Sequence, residues 1–273
     1  MTRLTEDMIW GVPDDELDLD GKLLKATGKT VKGIAMEAAG LEMADYDFSR
    51  FKAAAVPVTS GLGIIGGFAR SVDAIVGRLG MRSRVTDATD VAGFAEATRD
   101  GADIIMMSDD PLFMAYNARE RAYTDNSWGT AMGYSVCLKN AAGGLEGKEV
   151  LVIGAGRVGS WATKIMLGWG AEVSVVDIVP EKADALAQFG AKPLHDVERA
   201  VSDNTLLLNA APYIIPGEII AHGTIASSPG VPHYFDLEAR TRCKAIIHDP
   251  LEIGTAVMAV NSAAYTIRKE EGL

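Results

Sequence analysis

The fold is decided by one stretch of sequence, Val150-Leu151-Val152-Ile153-Gly154-Ala155-Gly156-Arg157-Val158-Gly159. Its apolar start predicts a buried strand, and the pattern GxGxxG follows directly, before a helix predicted over Arg157–Gly168. Gly154 permits the tight turn, Gly156 lets the backbone approach a pyrophosphate, and Gly159 lets the helix pack closely on the strand. The helix N-terminus supplies free N–H groups for phosphates. The stretch therefore predicts a dinucleotide site made by Gly154, Gly156, Arg157, Val158 and Gly159.

An acidic residue follows at the spacing that such a site needs. Asp177 ends the next predicted strand, eighteen residues after Gly159. Its carboxylate can accept hydrogen bonds from a ribose 2′-hydroxyl and would repel a 2′-phosphate. The next residue is Ile178 rather than an arginine, so the sequence favours NAD over NADP as the cofactor.

Two later loops complete the predicted cofactor site. They follow the predicted strands Thr205–Asn209 and Thr224–Ser227, and ligands of open α/β sheets bind at the carboxyl ends of strands. The loop residues concerned are Ala210, Ala211, Pro212, Pro229 and Gly230. An ordinary surface turn is the alternative interpretation of each loop.

Strands and helices alternate on both sides of the opening stretch, which predicts an α/β fold with parallel sheets. In the first half the predicted elements are the strands Ala53–Thr59, Arg82–Thr86 and Asp103–Met107, and the helices Ile64–Leu79 and Val91–Arg99. The first fifty residues are predicted to be helical and polar. A helix over Trp128–Ala142 ends at Gly143-Gly144, a predicted domain boundary.

We therefore predict a small N-terminal α/β domain over residues 1–143 that binds substrate. A Rossmann-type NAD-binding domain follows over residues 144–253. A C-terminal helix over residues 254–273 would lie at the domain interface or return across it.

The first half carries a second glycine fingerprint, Gly61-Leu62-Gly63-Ile64-Ile65-Gly66. Pro57 lies inside the preceding predicted strand, and proline suits an edge strand or a strand start better than a central strand. Thr59 and Ser60 are placed to bind a small polar group. We interpret this loop as part of the substrate site, at a helix N-terminus that could bind a substrate carboxylate. A plain tight turn is the alternative.

Two acidic residues, Asp109 and Asp110, follow the predicted strand Asp103–Met107. Asp110 precedes a proline, and aspartate in that position commonly caps a helix or starts a turn. For Asp109 we favour a functional role, because a carboxylate at a cleft edge can hold a substrate ammonium or take its proton. Oxidation of an amine needs such a base or a route for the proton to water, since hydride leaves only when the adjacent nitrogen has a lone pair.

The composition excludes several classes of function. The net charge of −11 argues against a basic surface that binds nucleic acid or an anionic membrane. A membrane span needs about 18 consecutive apolar residues, and no run in the sequence is that long. The acidic N-terminus does not resemble a signal peptide, and the two cysteines lack CxxC spacing, so we expect a reduced, cytoplasmic protein. The four histidines are scattered, and we expect no metal. The expected partner is a small molecule; a homodimer is a possible assembly.

Beyond these patterns, the chain resembles the pyrrolysine synthase family over most of its length. The segments that carry the resemblance are Val56–Gly61 with Gly63–Gly66, Thr86-Asp87 with Asp90-Val91, Ile104-Ile105 with Asp109-Asp110, Gly154–Gly159, Ser228–Pro232, and Pro250-Leu251 with Ile253–Ala256. The VPVTSGxGIIG segment is far more specific than the nucleotide fingerprint.

The resemblance implies a reaction. The substrate would be 3-methylornithine joined through its carboxyl group to the ε-nitrogen of lysine (methylornithyl-lysine). NAD would accept hydride from the carbon that bears the terminal amine, the imine would lose ammonia to water, and the resulting aldehyde would close the pyrroline ring of pyrrolysine.

The resemblance also implies roles for individual residues. Asp109 matches an essential acidic position; Val58, Ser60 and Ser108 match the substrate pocket; and Leu4 matches a residue that covers the site. The predicted substrate-binding set is Leu4, Val58, Thr59, Ser60, Gly61, Leu62, Ser108 and Asp110. The family has asparagine at position 62 and alanine at position 108. The segment Ala118–Ser127 shows little resemblance and is predicted to be mobile.

Two alternatives stay open. One is another two-domain NAD-dependent dehydrogenase, of an amino-acid or shikimate type. The shikimate type uses a catalytic Lys–Asp pair, and no lysine lies at a predicted strand end in the first half. The other is a non-catalytic protein that senses NAD, which would have no use for Asp109.

Overall fold

The computed structural model describes residues 4–14, 18–41, 46–231 and 235–272. Its helices are α1 (Glu6–Ile9), α2 (Leu19–Thr27), α3 (Val31–Ala38), α4 (Phe68–Arg78), α5 (Asp90–Arg99), α6 (Asn126–Ala141), α7 (Arg157–Gly168), α8 (Pro180–Asp184), α9 (Val197–Ser202), α10 (Leu237–Arg242) and α11 (Glu252–Glu271). Its strands are β1 (Lys52–Val56), β2 (Arg82–Val85), β3 (Ile104–Ser108), β4 (Phe113–Asn117), β5 (Ala122–Asp125), β6 (Glu149–Ile153), β7 (Glu172–Val176), β8 (Lys192–Leu194), β9 (Leu206–Asn209), β10 (Ile225–Ser227) and β11 (Ala245–Ile247).

The described residues divide into two compact units, each built on one sheet. The first-sheet unit lies within Arg3–Leu19, Thr30–Gly129 and Leu251–Leu273. The second-sheet unit includes Asp20–Lys29 and Thr130–Pro250. The division therefore falls inside α6, whereas the sequence suggested a boundary after Gly143.

The first sheet has the strand order β2-β1-β3-β4-β5. The first three strands are parallel, and β4 and β5 are antiparallel to their neighbours. The chain passes from β1 to β2 on one side and then to β3 on the other, so its direction reverses between β1 and β3. The edge position that Pro57 suggested is wrong, because β1 is internal. It ends at Val56, so Pro57 does not have to donate a ladder hydrogen bond.

The predicted mobile segment is instead part of a hairpin. β4 and β5 pair in antiparallel register, and α6 begins directly after β5. The turn between the strands is closed by Asn117, whose Oδ1 accepts the N–H groups of Arg119 and Glu120 at 2.9 Å each. The prediction of mobility for Ala118–Ser127 rested on its weak resemblance to the family, whereas the structure has Ala122–Asp125 in β5 and starts α6 at Asn126.

The C-terminal helix α11 packs on α3, α4, β4 and β5 of the first-sheet unit. Nearly all of it is buried, so its polar side chains need partners. Asn117 Nδ2 donates to the backbone oxygen of Ser262 at 2.7 Å and to Thr266 Oγ1 at 2.9 Å, and Ser262 Oγ donates to the backbone oxygen of Ala115 at 2.7 Å. This network fixes the helix on the hairpin. Among the described residues no helix combines the length and apolarity that crossing a bilayer requires.

The described part of the first fifty residues carries the helices α1, α2 and α3, in line with the prediction, but it is not uniformly polar. Ile9, Val12 and Ile34 are fully buried. Thr5 is the N-cap residue of α1 and makes no side-chain capping hydrogen bond. Arg78 of α4 anchors this region, because it donates to the Val12 carbonyl oxygen at 2.9 Å.

The second sheet is entirely parallel, with the strand order β11-β10-β9-β6-β7-β8. This is the order of a doubly wound dinucleotide-binding sheet, in which β6 is the first strand and the chain reverses direction between β6 and β9. Its central strands Val150–Ile153 and Leu207–Leu208 are almost completely buried. The predicted α/β fold with a Rossmann-type unit is confirmed.

Candidate active site

The carboxyl ends of β1 and β3 form the crevice of the first sheet, because the chain reverses direction there. Residues 57–67 follow β1, and we call them the first glycine loop. Residues 109–112 follow β3, and we call them the acidic turn. The helix after the loop begins at Phe68 rather than at the predicted Ile64, since the loop continues to Gly67 in the left-handed conformation.

One end of the first glycine loop is held by Asp90. Thr59 donates its N–H to Asp90 Oδ1 at 2.7 Å and its hydroxyl to Asp90 Oδ2 at 2.5 Å. These bonds to Thr59, with a further one from Thr89, lower the pKa of Asp90. Asp90 itself has φ +54°, an uncommon conformation for a residue with a side chain, and its N–H donates to the Pro57 carbonyl oxygen at 2.9 Å.

The other end of the loop meets Asp110. The Leu62 N–H donates to Asp110 Oδ2 at 3.1 Å. A Cβ atom at Gly61 would lie 2.6 Å from the Asp110 carboxyl carbon, so this carboxylate lies directly against the Gly61 backbone. A loop amide therefore already faces a protein carboxylate, which makes the predicted binding of a substrate carboxylate less favourable.

Asp109 lies at the exposed edge of the same crevice. Its N–H donates to the Leu112 carbonyl oxygen at 2.9 Å, and its Oδ1 accepts the Leu112 N–H at 2.8 Å. Its Oδ2 has no hydrogen-bonding partner among the described residues. Asp109 therefore combines a fixed backbone with one carboxylate oxygen that can take a ligand or a proton.

The other predicted substrate residues are buried to different degrees. Val58 and Ser108 are half-buried, whereas Thr59, Ser60, Gly61 and Leu62 are exposed. Leu4 is half-buried just before α1. Sequence reasoning missed Glu6, whose carboxyl carbon would lie 2.6 Å from a Cβ atom at Gly66. Its only sequence signal was an acidic residue in the first turn of a helix.

Sequence reasoning also missed Glu96 of α5, which fixes the segment before Asp90. Its Oε2 accepts the Ala88 N–H at 2.8 Å, and its Oε1 accepts Arg84 Nη1 at 2.7 Å and the Asp87 N–H at 3.1 Å. The Ala88 and Arg84 hydrogen bonds hold the pKa of Glu96 at about 2, below its ordinary value of 4.5. No sequence pattern signals these bonds, because they link a helix to a preceding loop.

We expect Glu96→Gln to destabilise the chain near neutral pH, with the destabilisation shrinking in acid. Because the folded-state pKa is lowered, the Glu96 contribution is present above the unfolded-state pKa of about 4.5 and is lost as the pH falls towards about 2. Urea unfolding of both proteins over this range measures the difference in unfolding free energy. The exposed Glu172→Gln is the control, and a Glu96→Gln difference that stays constant with pH would contradict the prediction.

The second sheet presents its glycine loop, residues 154–159, at the carboxyl end of β6. Gly154 has φ +93°, which favours glycine. A Cβ atom at Gly159 would overlap the Gly154 carbonyl group, 2.9 Å from its carbon, so only glycine lets α7 start so close to the strand. A Cβ atom at Gly156 would meet no heavy atom within 4 Å, so space remains where a pyrophosphate would approach. The loop therefore fits a dinucleotide.

Asp177 follows β7 beside this loop. Its Oδ2 accepts the Ala155 N–H at 2.6 Å, and its Oδ1 accepts the Val179 N–H at 2.9 Å. The carboxylate is thereby fixed next to the second glycine loop, where a ribose hydroxyl could donate to its remaining lone pairs. Ile178 is 82% exposed beside it, so an apolar surface borders the carboxylate.

The remaining predicted cofactor residues lie in or near this edge. Arg157 and Val158 form the first turn of α7. Ala211 lies close against Gly154: a Cβ atom added at Gly154 would be 2.8 Å from the Ala211 Cβ atom. Ala210 and Pro212 flank it, and half-buried Pro229 and Gly230 follow β10. Pro232, part of the family-like segment, lies outside the described residues.

Each half of the chain matches a known protein family model. Residues 8–124 match the family model described as the N-terminal domain of the pyrrolysine biosynthesis protein PylD, and residues 129–261 match that of the alanine dehydrogenase/PNT C-terminal domain. The chain is 30% identical to the pyrrolysine synthase of Methanosarcina barkeri over 90% of this chain and 95% of that protein. The chain belongs to the pyrrolysine synthase family.

A second relative supports the family membership, and a solved structure supports the fold. The pyrrolysine synthase of Methanosarcina acetivorans is 30% identical over 94% of this chain and 98% of that protein. The crystal structure of shikimate dehydrogenase from Aquifex aeolicus has a TM-score of 0.52 at 13% identity and covers 82% of this chain and 94% of that chain, which shows the fold alone. The family and the dehydrogenase-type domain indicate an oxidoreductase of pyrrolysine biosynthesis.

The resemblance described above implies asparagine at position 62 and alanine at position 108, and this chain has other residues there. The side chain of Leu62 is 73% exposed in the first glycine loop. The Leu62 backbone N–H donates to Asp110, and this bond does not depend on the side chain at position 62. Ser108 replaces alanine, and its Oγ donates weakly to the Asp109 carbonyl oxygen at 3.4 Å. The backbone of the site is thus independent of both substitutions.

Proposed function

We propose that this chain is an NAD-dependent oxidoreductase that oxidises the terminal amine of methylornithyl-lysine and closes the pyrroline ring of pyrrolysine. The observation that carries the proposal is Asp109, held by Leu112 with one carboxylate oxygen unbonded at the carboxyl edge of the first sheet. Membership of the pyrrolysine synthase family supports the choice of substrate.

The charges around the first glycine loop support a cationic substrate group. Carboxylates border the loop at three places: Glu6 at Gly66, Asp90 at Thr59, and Asp110 at Gly61. Asp109 adds a fourth at the neighbouring turn. A field of this sign attracts an ammonium and repels a carboxylate.

In the proposed reaction Asp109 first binds the terminal ammonium and takes one proton from it. The neutral amine then has a lone pair that can form the C=N bond as hydride leaves its carbon. Bound NAD supplies the hydride acceptor. Water adds to the imine and ammonia leaves, which gives an aldehyde. The α-amine of the methylornithine part attacks this aldehyde, and loss of water closes the ring.

The second-sheet unit is proposed to hold the NAD. The second glycine loop offers the open Gly156 backbone and the N-terminus of α7 to the pyrophosphate. Asp177 is fixed where it would accept a ribose 2′-hydroxyl, and the neighbouring Ile178 brings no positive charge for a 2′-phosphate. These features favour NAD over NADP.

The first experiment is turnover with the proposed substrate. Incubation with NAD and methylornithyl-lysine should produce NADH absorbance and a product of the mass of pyrrolysine, whereas NADP should give much slower reduction. Shikimate is the control for the alternative dehydrogenase, whose Lys–Asp pair is missing from the described residues that follow β1, β2 and β3. NADH from shikimate, or from another diamine alone, would contradict the proposed substrate.

A further inference from the structure

We propose that Asp110 is a positioning residue, which holds the acidic turn against the first glycine loop and thereby holds Asp109 at the crevice. The sequence assigned Asp110 to substrate binding. The proposal rests on the proposed function of Asp109, but the contact itself can be tested without substrate.

A hydrogen bond links the two loops. The Leu62 N–H donates to Asp110 Oδ2 at 3.1 Å, and the two residues are 48 positions apart in sequence. The bond therefore connects the segment after β1 with the segment after β3. A carboxylate that accepts a backbone N–H in this way fixes both partners.

The residue at position 61 is adapted to the same contact. A Cβ atom at Gly61 would overlap Asp110 Oδ2 and lie 2.6 Å from its carboxyl carbon. Gly61 also has φ +67°, a backbone conformation that residues with a side chain rarely adopt. The missing side chain thus makes room for the Asp110 carboxylate against the loop backbone.

The bonds of Asp109 explain why this contact matters for it. Its backbone N–H and its Oδ1 both bond to Leu112, so they hold Asp109 only within the acidic turn. The next residue, Asp110, ties that turn to the loop. The loop is in turn tied through Thr59 to Asp90 at the start of α5. Asp109 is therefore positioned by a continuous chain of contacts.

A pair of glycine variants tests the contact. Gly61 and Gly63 both have positive φ, +67° and +83°, so alanine strains the backbone at either position. A Cβ atom at Gly63 meets no heavy atom within 4 Å, whereas one at Gly61 displaces Asp110. We expect Gly61→Ala to lower kcat by about 10- to 100-fold relative to Gly63→Ala, with the KM for NAD unchanged, because small displacements of a reacting group cost rate.

Variants at Asp110 separate positioning from substrate binding. Asp110→Ala should lower kcat as Gly61→Ala does, while Asp110→Asn, which keeps an acceptor oxygen, should recover most of the rate. Adding Gly61→Ala to Asp110→Ala should cost no more than Gly63→Ala does, because the overlapping carboxylate is gone. A rise in substrate KM with unchanged kcat in Asp110→Ala would overturn the proposal in favour of direct substrate binding.

A substrate-free measurement distinguishes this proposal from the proposed function. The carboxyl-carbon NMR signal of Asp109 should shift in Asp110→Ala and in Gly61→Ala but stay in place in Gly63→Ala. If methylornithyl-lysine is not oxidised yet the signal moves in this pattern, the proposed function fails and the positioning contact stands. An Asp109 signal that is the same in all variants would refute the positioning role.

Discussion

Replacing Asp109 with asparagine should lower kcat for NADH formation by about 10²- to 10⁴-fold, the usual contribution of a general base. Asparagine keeps an Oδ1 acceptor for the Leu112 N–H, which lies 2.8 Å from Oδ1 in the wild type. The acidic turn should therefore keep its shape while the group loses the ability to take a proton. Steady-state kinetics with methylornithyl-lysine measure the loss.

The cofactor site provides an internal control for this variant. Asp109 lies in the first-sheet unit, and the second glycine loop lies in the second-sheet unit. NADH affinity, measured by fluorescence titration, should therefore be unchanged in Asp109→Asn. Full turnover by Asp109→Asn would rule out Asp109 as the base, and lost NADH binding would indicate a general folding defect.

Asp87→Asn is the matched variant for the charge itself. Asp87 is an exposed carboxylate just beyond β2, so its replacement changes the net charge by the same amount at the same edge of the sheet. If the site only attracted its substrate by a general negative field, both variants would weaken substrate binding alike. We expect Asp87→Asn to retain kcat, because the proton transfer needs a group in contact with the amine.

The two glycine fingerprints show how far sequence alone reaches. At Gly154–Gly159 the pattern predicted the strand, the turn and the tight helix start, and the structure has each of them. At Gly61–Gly66 the same pattern gave a different result, since the helix starts only at Phe68 and a loop amide is bonded to Asp110. The glycine pattern predicts the geometry of the turn. It does not predict what the loop binds, because the carboxylate that accepts the Leu62 N–H belongs to Asp110, 48 positions away.

The site residues that were missed share a physical reason. Glu6 contacts Gly66 of the first glycine loop, and Glu96 accepts backbone N–H groups of the segment before Asp90. Such contacts need only an acidic side chain on a helix that the fold brings near, so they leave no periodicity or motif. The β4–β5 hairpin was missed for the same reason. Its turn is closed by hydrogen bonds to the Asn117 side chain, and in the sequence Asn117 cannot be told from any other polar residue.

Gly159→Ala should weaken NADH binding by about 5- to 150-fold. The added Cβ atom would overlap the Gly154 carbonyl group, which belongs to the backbone of the same loop, so no side-chain rotation can relieve it. The free protein can shift the loop, at a cost of about 1–3 kcal/mol for an overpacked site. Binding requires the loop in its original position, so strain of about 1–3 kcal/mol converts into a loss of about 5- to 150-fold in affinity.

The matched control lies at the other end of the same helix. Gly168 ends α7, and a Cβ atom there meets no heavy atom within 4 Å. Gly168→Ala should therefore bind NADH as the wild type does, with equal or slightly higher stability because alanine favours the helix. Fluorescence titration and thermal unfolding of both variants separate the loop from the helix. Equal NADH affinity in Gly159→Ala and Gly168→Ala would mean that the dinucleotide does not use this loop, and the assignment of NAD to the second-sheet unit would fail with it.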